Sequence, residues 1–125
     1  MNENKLREQI CLLATSIFDR GLTHGSTGNI SVRLDDNNIL VTPSGSSFGR
    51  LDPNQIVKVS KSGEITGSTI PTKELPLHQA FYETRGMKSG AVVHLHSTYS
   101  VALSMMPGIN EDNVLPSYTP YSVML

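Results

Sequence analysis

Apolar residues recur at the helical interval over the first twenty positions of the chain. Leu6, Ile10, Leu13 and Ile17 fall on one stripe with Phe18 beside it, so residues 3–20 read as an amphipathic helix. Gly21 is placed to end it as the C′ residue. The period then shortens to two. Ile30-Ser-Val-Arg-Leu34 alternates, Asp35-Asp-Asn-Asn38 has turn chemistry, and Ile39-Leu-Val-Thr42 returns. Residues 30–42 therefore read as a hairpin. A second hairpin is predicted from Ile56-Val-Lys-Val-Ser60 and Glu64-Ile-Thr66 around Lys61-Ser-Gly63. Thr72 is a candidate N-cap for a helix from about 73 to 84, with Leu75, Leu77, His78 and Phe81 available to pack. Ala91-Val-Val-His94-Leu-His96 reads as a buried strand. Ser97 then caps a short helix through Ala102 to Met105, which Pro107-Gly108 stops. Residues 114–125 are apolar and aromatic with two prolines, and no element is assigned to them. The order helix, hairpin, hairpin, helix, strand, helix predicts one domain over 1–125 of α/β (α+β-like) class. Its expected form is a sandwich with a central, mainly antiparallel sheet covered by helices.

The histidine strand carries the strongest chemical signal. Residues i and i+2 of a strand point to one side, so His94 and His96 aim two imidazoles at one place near the strand's C-terminal end. Imidazole suits zinc and its first-row neighbours. The same pair also fits two histidines merely hydrogen-bonded at a strand end. Three polar loops precede it in sequence. Gly25-Ser-Thr-Gly-Asn29 and Thr42-Pro-Ser-Gly45 offer backbone N–H groups, hydroxyls and an amide. Pro71-Thr-Lys-Glu74 sits at a predicted helix start, where free N–H groups and the dipole favour an anion, and Lys73 adds charge. Each loop alone also reads as an ordinary turn. Glu74 is either a favourable first-turn carboxylate or an acid/base group or metal ligand. His78 reads as a packing or hydrogen-bonding residue of the helix face, and His24 is given no role.

Composition narrows the classes. The chain has 125 residues, 38% hydrophobic and 17% charged, with a net charge of −1. That is the profile of a globular domain and gives no support for nucleic-acid binding. No apolar run is long enough to span a membrane, and Met1-Asn-Glu-Asn-Lys-Leu-Arg-Glu8 lacks the plan of a signal peptide. A cytoplasmic location is the expectation. The single Cys11 has no internal partner and is expected to pack as a small apolar side chain.

Taken together, Gly25-Ser-Thr-Gly-Asn29-Ile-Ser31, Thr42-Pro-Ser-Gly45, Pro71-Thr-Lys-Glu74 with His78, and Val93-His94-Leu-His96-Ser97 closely resemble the class II aldolase/adducin family. The resemblance runs over essentially the whole chain. It implies a zinc-dependent enzyme with one Zn2+ per subunit, usually a homotetramer with sites between subunits. By position, His94 and His96 match two zinc ligands, and Glu74 matches the catalytic acid/base that also ligates the metal when substrate is absent. Asn29, Ser44, Gly45, Thr72 and Lys73 match the substrate-phosphate pocket, although some aldolases carry Ser or Thr where Lys73 stands. Leu51-Asp-Pro53, Val93-His-Leu-His-Ser-Thr-Tyr-Ser100 with Ala102-Leu-Ser104, and Thr119-Pro-Tyr121-Ser-Val-Met124 resemble the decarboxylating branch of the family most. The activity this implies is decarboxylation of 3-oxo-tetronate 4-phosphate to dihydroxyacetone phosphate and CO2 through a metal-stabilised enediolate. A sugar-phosphate aldolase of fuculose-phosphate type or a pentulose-phosphate 4-epimerase is the alternative, because each reaction passes through a similar enediolate.

Two further expectations follow. The family's third zinc histidine lies in a downstream Asn-His-Gly-like motif that nothing here matches, and the chain stops on the apolar run Ser122-Val-Met-Leu125. The sequence therefore reads as an N-terminal portion lacking that ligand and the C-terminal helices. A non-catalytic adducin-like interaction module, or an inactive fragment, is the rival of another class; the presence of Glu74, His94 and His96 speaks for the enzyme.

Overall fold

A computed structural model describes residues 2–112. The stretch 114–125 and its Thr119–Met124 motif lie outside the described residues. The first helix, α1, spans Glu3–Asp19, with the Asn2 side chain accepting from the Asn4 amide at its start. Gly21 follows at φ +70°, the left-handed conformation expected of a C′ glycine. The helix packs through Ile10 and Ala14, which are buried, together with Leu6, Cys11, Ile17 and Phe18. The predicted stripe needs one correction: Leu13 is 61% exposed. Successive side chains advance by about 100°, so a seam built on i and i+4 steps from Leu6 through Ile10 and Ala14 to Phe18. Leu13 falls off its edge. Ala14 and Gly49 keep this contact close, since a Cβ on Gly49 would come 2.9 Å from the Phe18 ring.

The strands are β1 (Asn29–Arg33), β2 (Ile39–Val41), β3 (Val57–Val59), β4 (Ile65–Thr66) and β5 (Ala91–His94). Both predicted hairpins are present, and the sheet runs β4-β3-β2-β1-β5 with every pairing antiparallel. α1 covers one face, packing on Ile30, Leu40, Phe48 and Ile56. The second helix, α2 (Leu75–Arg85), covers the other, where Tyr82 and Leu75 pack on Ile39, Val41, Val57 and Val59. A sheet covered on both faces explains why β2 is apolar throughout. The connection from β4 through α2 to β5 carries the chain from one edge of the sheet to the other. A third helix, α3 (Thr98–Ser104), follows β5.

Two helix starts differ from the sequence reading. α2 begins at Leu75 rather than 73, with Glu74 in the cap position. Thr72-Lys-Glu-Leu75 forms a turn first, closed by the Leu75 amide donating to the Thr72 carbonyl at 3.2 Å. Pro76, which lacks an N–H, then sits in the first helical turn, where that loss is harmless. Thr72 still contributes, because its hydroxyl accepts from the Glu74 amide at 3.3 Å. Ser97 occupies the cap position of α3, but its hydroxyl donates to Ser100 Oγ at 2.9 Å instead of accepting from the helix backbone.

β1 has a polar side that is buried at Asn29 and Ser31 and half-buried at Arg33. Asn29, Ser31 and Arg33 alternate toward α2, at a step of about 6.8 Å along the strand. His78 and Tyr82 face them from α2, one i,i+4 step and about 6 Å apart. The two repeats nearly match, so strand and helix join as a ladder. Ser31 Oγ lies 2.7 Å from His78 Nδ1 and 2.8 Å from Tyr82 Oη. His78 Nε2 lies 2.5 Å from Asn29 Oδ1. Arg33 donates to the Tyr82 carbonyl at 2.9 Å, and its guanidinium lies 4.6 Å from the Tyr82 ring centre.

Candidate active site

The antiparallel order brings three chain segments to one end of the sheet. β1 starts there at Asn29, β2 leaves there into Thr42, and β5 ends there at His94, directly opposite Asn29. The loop after β2 is tied to the segment before α2. Thr72 N–H donates to the Thr42 carbonyl at 3.0 Å, and Ser44 N–H donates to the Ile70 carbonyl at 2.9 Å. The Thr42 hydroxyl in turn accepts from the Ile30 amide at 3.1 Å. Three loops far apart in sequence are thereby fixed side by side.

Between them lies an open cleft of about 290 Å³. Its wall takes Asn29 from the first loop, Ser44 and Gly45 from the second, and Thr72 and Lys73 from the third, with Glu74 and His96 at the same cleft. Seven of the eight residues singled out in the sequence thus meet around one space. A larger depression of about 430 Å³, lined by Glu3, Arg33, Asp36 and Lys58, gathers none of them. The eighth, His94, borders the adjoining depression with Leu77, Phe81 and Leu95. Its ring centre is nonetheless 4.9 Å from that of His96, although β5 is only partly buried and ends at His94, so His96 lies beyond the strand on which the sequence placed it.

The cleft suits an anion through hydroxyls, the Asn29 amide and the Lys73 side chain. One expected contribution is reduced. The Leu75 amide is engaged by Thr72 and Pro76 has no amide, so those first-turn positions of α2 do not supply free N–H groups. The donors for a metal are partly in place. His94 Nδ1 is buried and has no hydrogen-bond partner among the described residues. A buried nitrogen without a partner is costly unless a ligand completes it. The pair His94 and His96, with Glu74 on the same cleft, is a donor set that fits a divalent first-row ion. Among the described residues, no three His, Cys, Asp or Glu side chains converge into a full ligand group.

His78 is the residue the sequence undervalued. It was read as packing or hydrogen-bonding, and it does both, with no exposed surface at all. Burial pushes its imidazole down to about 4, the neighbouring His94 ring adds to this, and the Glu74 carboxylate opposes it. The ring is neutral at pH 7. Ser31 and Tyr82 complete its surroundings, and burial pushes the Tyr82 phenol up, so it keeps its proton. Ser26, Thr27, Gly28 and Ser46 also line the cleft. Gly28 stands at φ +84° against Thr23, Phe48 and the His94 carbonyl. The signal for the buried group was present as alternation in β1 and an i,i+4 pair in α2.

Comparison with known proteins identifies relatives of the chain and of its fold. The chain is 46% identical over 122 residues to the 3-oxo-tetronate 4-phosphate decarboxylase of Escherichia coli K12, covering 98% of this chain and 57% of that protein. It is 34% identical over 106 residues to the L-fuculose phosphate aldolase of the same strain, covering 85% of this chain and 48% of that one. The solved Escherichia coli protein YgbL, proposed to be an aldolase, epimerase or decarboxylase, superposes with a TM-score of 0.89 at 44% identity. That match covers 98% of this chain and 58% of YgbL. The chain thus spans a little over half the length of the decarboxylases it matches. The pattern described as the Class II Aldolase and Adducin N-terminal domain matches residues 8–125, and the chain belongs to that family.

Proposed function

We propose that the full-length protein carrying this sequence is a metal-dependent carbon–carbon lyase that decarboxylates 3-oxo-tetronate 4-phosphate to dihydroxyacetone phosphate and CO2. The observation that carries the reading is the meeting of Asn29, Ser44, Thr72 and Lys73 with Glu74 and His96 at one cleft, His94 lying beside His96. The 46% identity to decarboxylases of that name supports the substrate.

The family implies a divalent metal. We assign it as zinc, with His94 and His96 as the ligands this chain supplies throughout and Glu74 as a further ligand when substrate is absent. Bound there, the ion would act as a Lewis acid toward oxygens next to the reacting carbon. The chain's own residues do the rest. Asn29, Ser44, Gly45, Thr72 and Lys73 hold the phosphate and so fix the distance from C4 to the reacting end. The C1–C2 bond breaks, and its electron pair stays at C2 as the enediolate while CO2 departs. The Glu74 carboxyl group then delivers a proton to C2, which gives dihydroxyacetone phosphate. Anion contacts remote from the breaking bond contribute binding that orients the substrate. A homotetramer and a cytoplasmic location belong to the same reading; no helix among the described residues is long and apolar enough to cross a membrane.

The test is CO2 release from 3-oxo-tetronate 4-phosphate by the full-length protein, with and without chelator, beside Glu74→Gln. Chelator-sensitive release that Glu74→Gln abolishes, with inorganic phosphate affinity unchanged, is expected. Aldehyde release from L-fuculose 1-phosphate without CO2 release would favour the aldolase reading, which the 34% identical relative supports. An active Glu74→Gln protein would refute the acid/base role.

A further inference from the structure

We propose that His78 is a positioning residue: it holds the Asn29 carboxamide with its oxygen turned inward, so that the NH2 end is the end presented to the anion cleft. The inference rests on reading that cleft as the phosphate site. Asn29 borders the cleft, and its Oδ1 is 2.5 Å from His78 Nε2. An amide oxygen only accepts, so Nε2 carries a hydrogen. In the neutral ring Nδ1 then accepts from the Ser31 hydroxyl at 2.7 Å, and Ser31 Oγ accepts from Tyr82 O–H at 2.8 Å. A protonated ring would donate from both nitrogens and would leave Asn29 unchanged. The orientation therefore does not depend on the charge of His78.

The orientation matters because the two ends of a carboxamide have opposite hydrogen-bonding character. The NH2 end donates to a phosphate oxygen, whereas the carbonyl end would face it as a second acceptor. A free asparagine turns about χ2 with little preference. Here the ladder between β1 and α2 makes the choice. His78 is fully buried, Ser31 is fully buried, and Tyr82 is nearly so. The helix that carries Glu74 at its start is thus the same helix that sets the Asn29 amide of that cleft.

The test uses the full-length protein, with inorganic phosphate as the probe and calorimetric affinity as the readout. Asn29→Ala should weaken phosphate binding by about 10-fold or more, the usual effect of a hydrogen bond to a charged group. His78→Leu should weaken it to a similar degree, and the double variant should lose no more than either alone. His78→Gln, whose side-chain amide reaches the place of Nε2 as a donor, should bind within about 3-fold of the parent. An unaffected Asn29→Ala would overturn the phosphate-cleft reading itself. A weakened Asn29→Ala with an unaffected His78→Leu, or additive losses in the double variant, would overturn the positioning role alone. Should His78→Leu not fold, the 15N spectrum of the unmodified protein decides. A hydrogen on Nε2 of His78, with the Asn29 NH2 resonances shifting on phosphate addition, supports the assignment. A ring carrying its hydrogen on Nδ1 alone overturns it, because Asn29 would then have to turn its NH2 inward.

Discussion

Gly28 is where backbone conformation, packing and the cleft meet, and its replacement by alanine yields a worked magnitude. The residue stands at φ +84°, and a Cβ there would come 3.0 Å from Thr23 Oγ1, 3.3 Å from Phe48 Cζ and 3.4 Å from the His94 carbonyl oxygen. Placing an L-residue in the left-handed region costs about 1–2 kcal/mol. The closest contact falls on a buried hydroxyl that already donates to the Thr27 carbonyl at 2.9 Å, so Thr23 has little room to retreat. Displacing it sacrifices about 1 kcal/mol of hydrogen bonding. Alanine offsets about 0.4–1 kcal/mol of this by restricting the unfolded chain. Gly28→Ala should therefore destabilise the protein by about 2 kcal/mol.

Gly25 supplies the internal control. It also has positive φ, at +57°, but a Cβ there meets nothing within 4 Å. Gly25→Ala bears only the conformational cost and should lose no more than about 1 kcal/mol. The assay is urea unfolding of the full-length protein followed by far-UV circular dichroism, with stabilities from linear extrapolation. The difference between the two variants measures the contact with Thr23, Phe48 and the end of β5. Equal stability of the two would refute the claim that Gly28 is required by packing. Because Asn29 follows Gly28 directly, the same variant should also weaken inorganic phosphate binding, while Gly25→Ala should not.

Ile10→Ala empties a fully packed position of α1 and should cost about 2–5 kcal/mol, whereas Leu13→Glu on the exposed side should stay within about 0.5 kcal/mol; comparable losses would refute the seam assigned here. The pH dependence of stability should carry the mark of His78. Its ring titrates at about 4 when folded against 6.5 ordinarily, so below pH 6.5 the unfolded chain takes up a proton that the fold refuses. Stability should fall as pH drops from 6.5 to 4, by at most about 3 kcal/mol, and His78→Gln should flatten that part of the curve in urea titrations. Arg33→Met removes the bond to the Tyr82 carbonyl and the contact with its ring, so a loss of about 1–2 kcal/mol is expected in the same assay.

Most of the fold was legible because each element carries its own period. The helical period of α1 and the alternation and turn residues of both hairpins needed no tertiary information. What was missed depends on neighbours. Leu13 and Ala14 look alike as candidates for a seam, and only the approach of the 3-10 turn at Phe48–Arg50 selects the smaller one. Thr72 has every mark of an N-cap, yet its amide is drawn to the Thr42 carbonyl and the helix starts after it. The site divides the same way. Each of the three loops was an ordinary turn on its own evidence. Their convergence follows from topology, since a hairpin that pairs 30 with 42 sets residue 29 beside residue 43, and an antiparallel β5 brings His94 to the same end. The HxH spacing foretold two neighbouring imidazoles, but it did not foretell that β5 pairs with β1. The ladder of Asn29, Ser31, His78 and Tyr82 was least visible, because its two halves sit 47 to 51 residues apart.

That ladder also explains why a buried seam between strand and helix is polar at all. Apolar residues in the same places would pack about as well, for a satisfied hydrogen bond adds only about 1 kcal/mol over its hydrated state. The arrangement is unforgiving in another sense. Removing any single member leaves a buried partner unsatisfied, at about 1–3 kcal/mol, whereas replacing all of them together need cost little. Stability alone would be served as well by Val and Ile as a set, the residues that the neighbouring β2 and β3 turn toward the same helix. What an apolar seam lacks is a fixed donor at its cleft end. The polar seam ends on the Asn29 amide beside Ser44 and Thr72, and each bond behind it removes one way for that amide to turn. The stiffness of the core is thereby delivered to the cleft wall, at a place where the first two loops offer only short side chains and glycine.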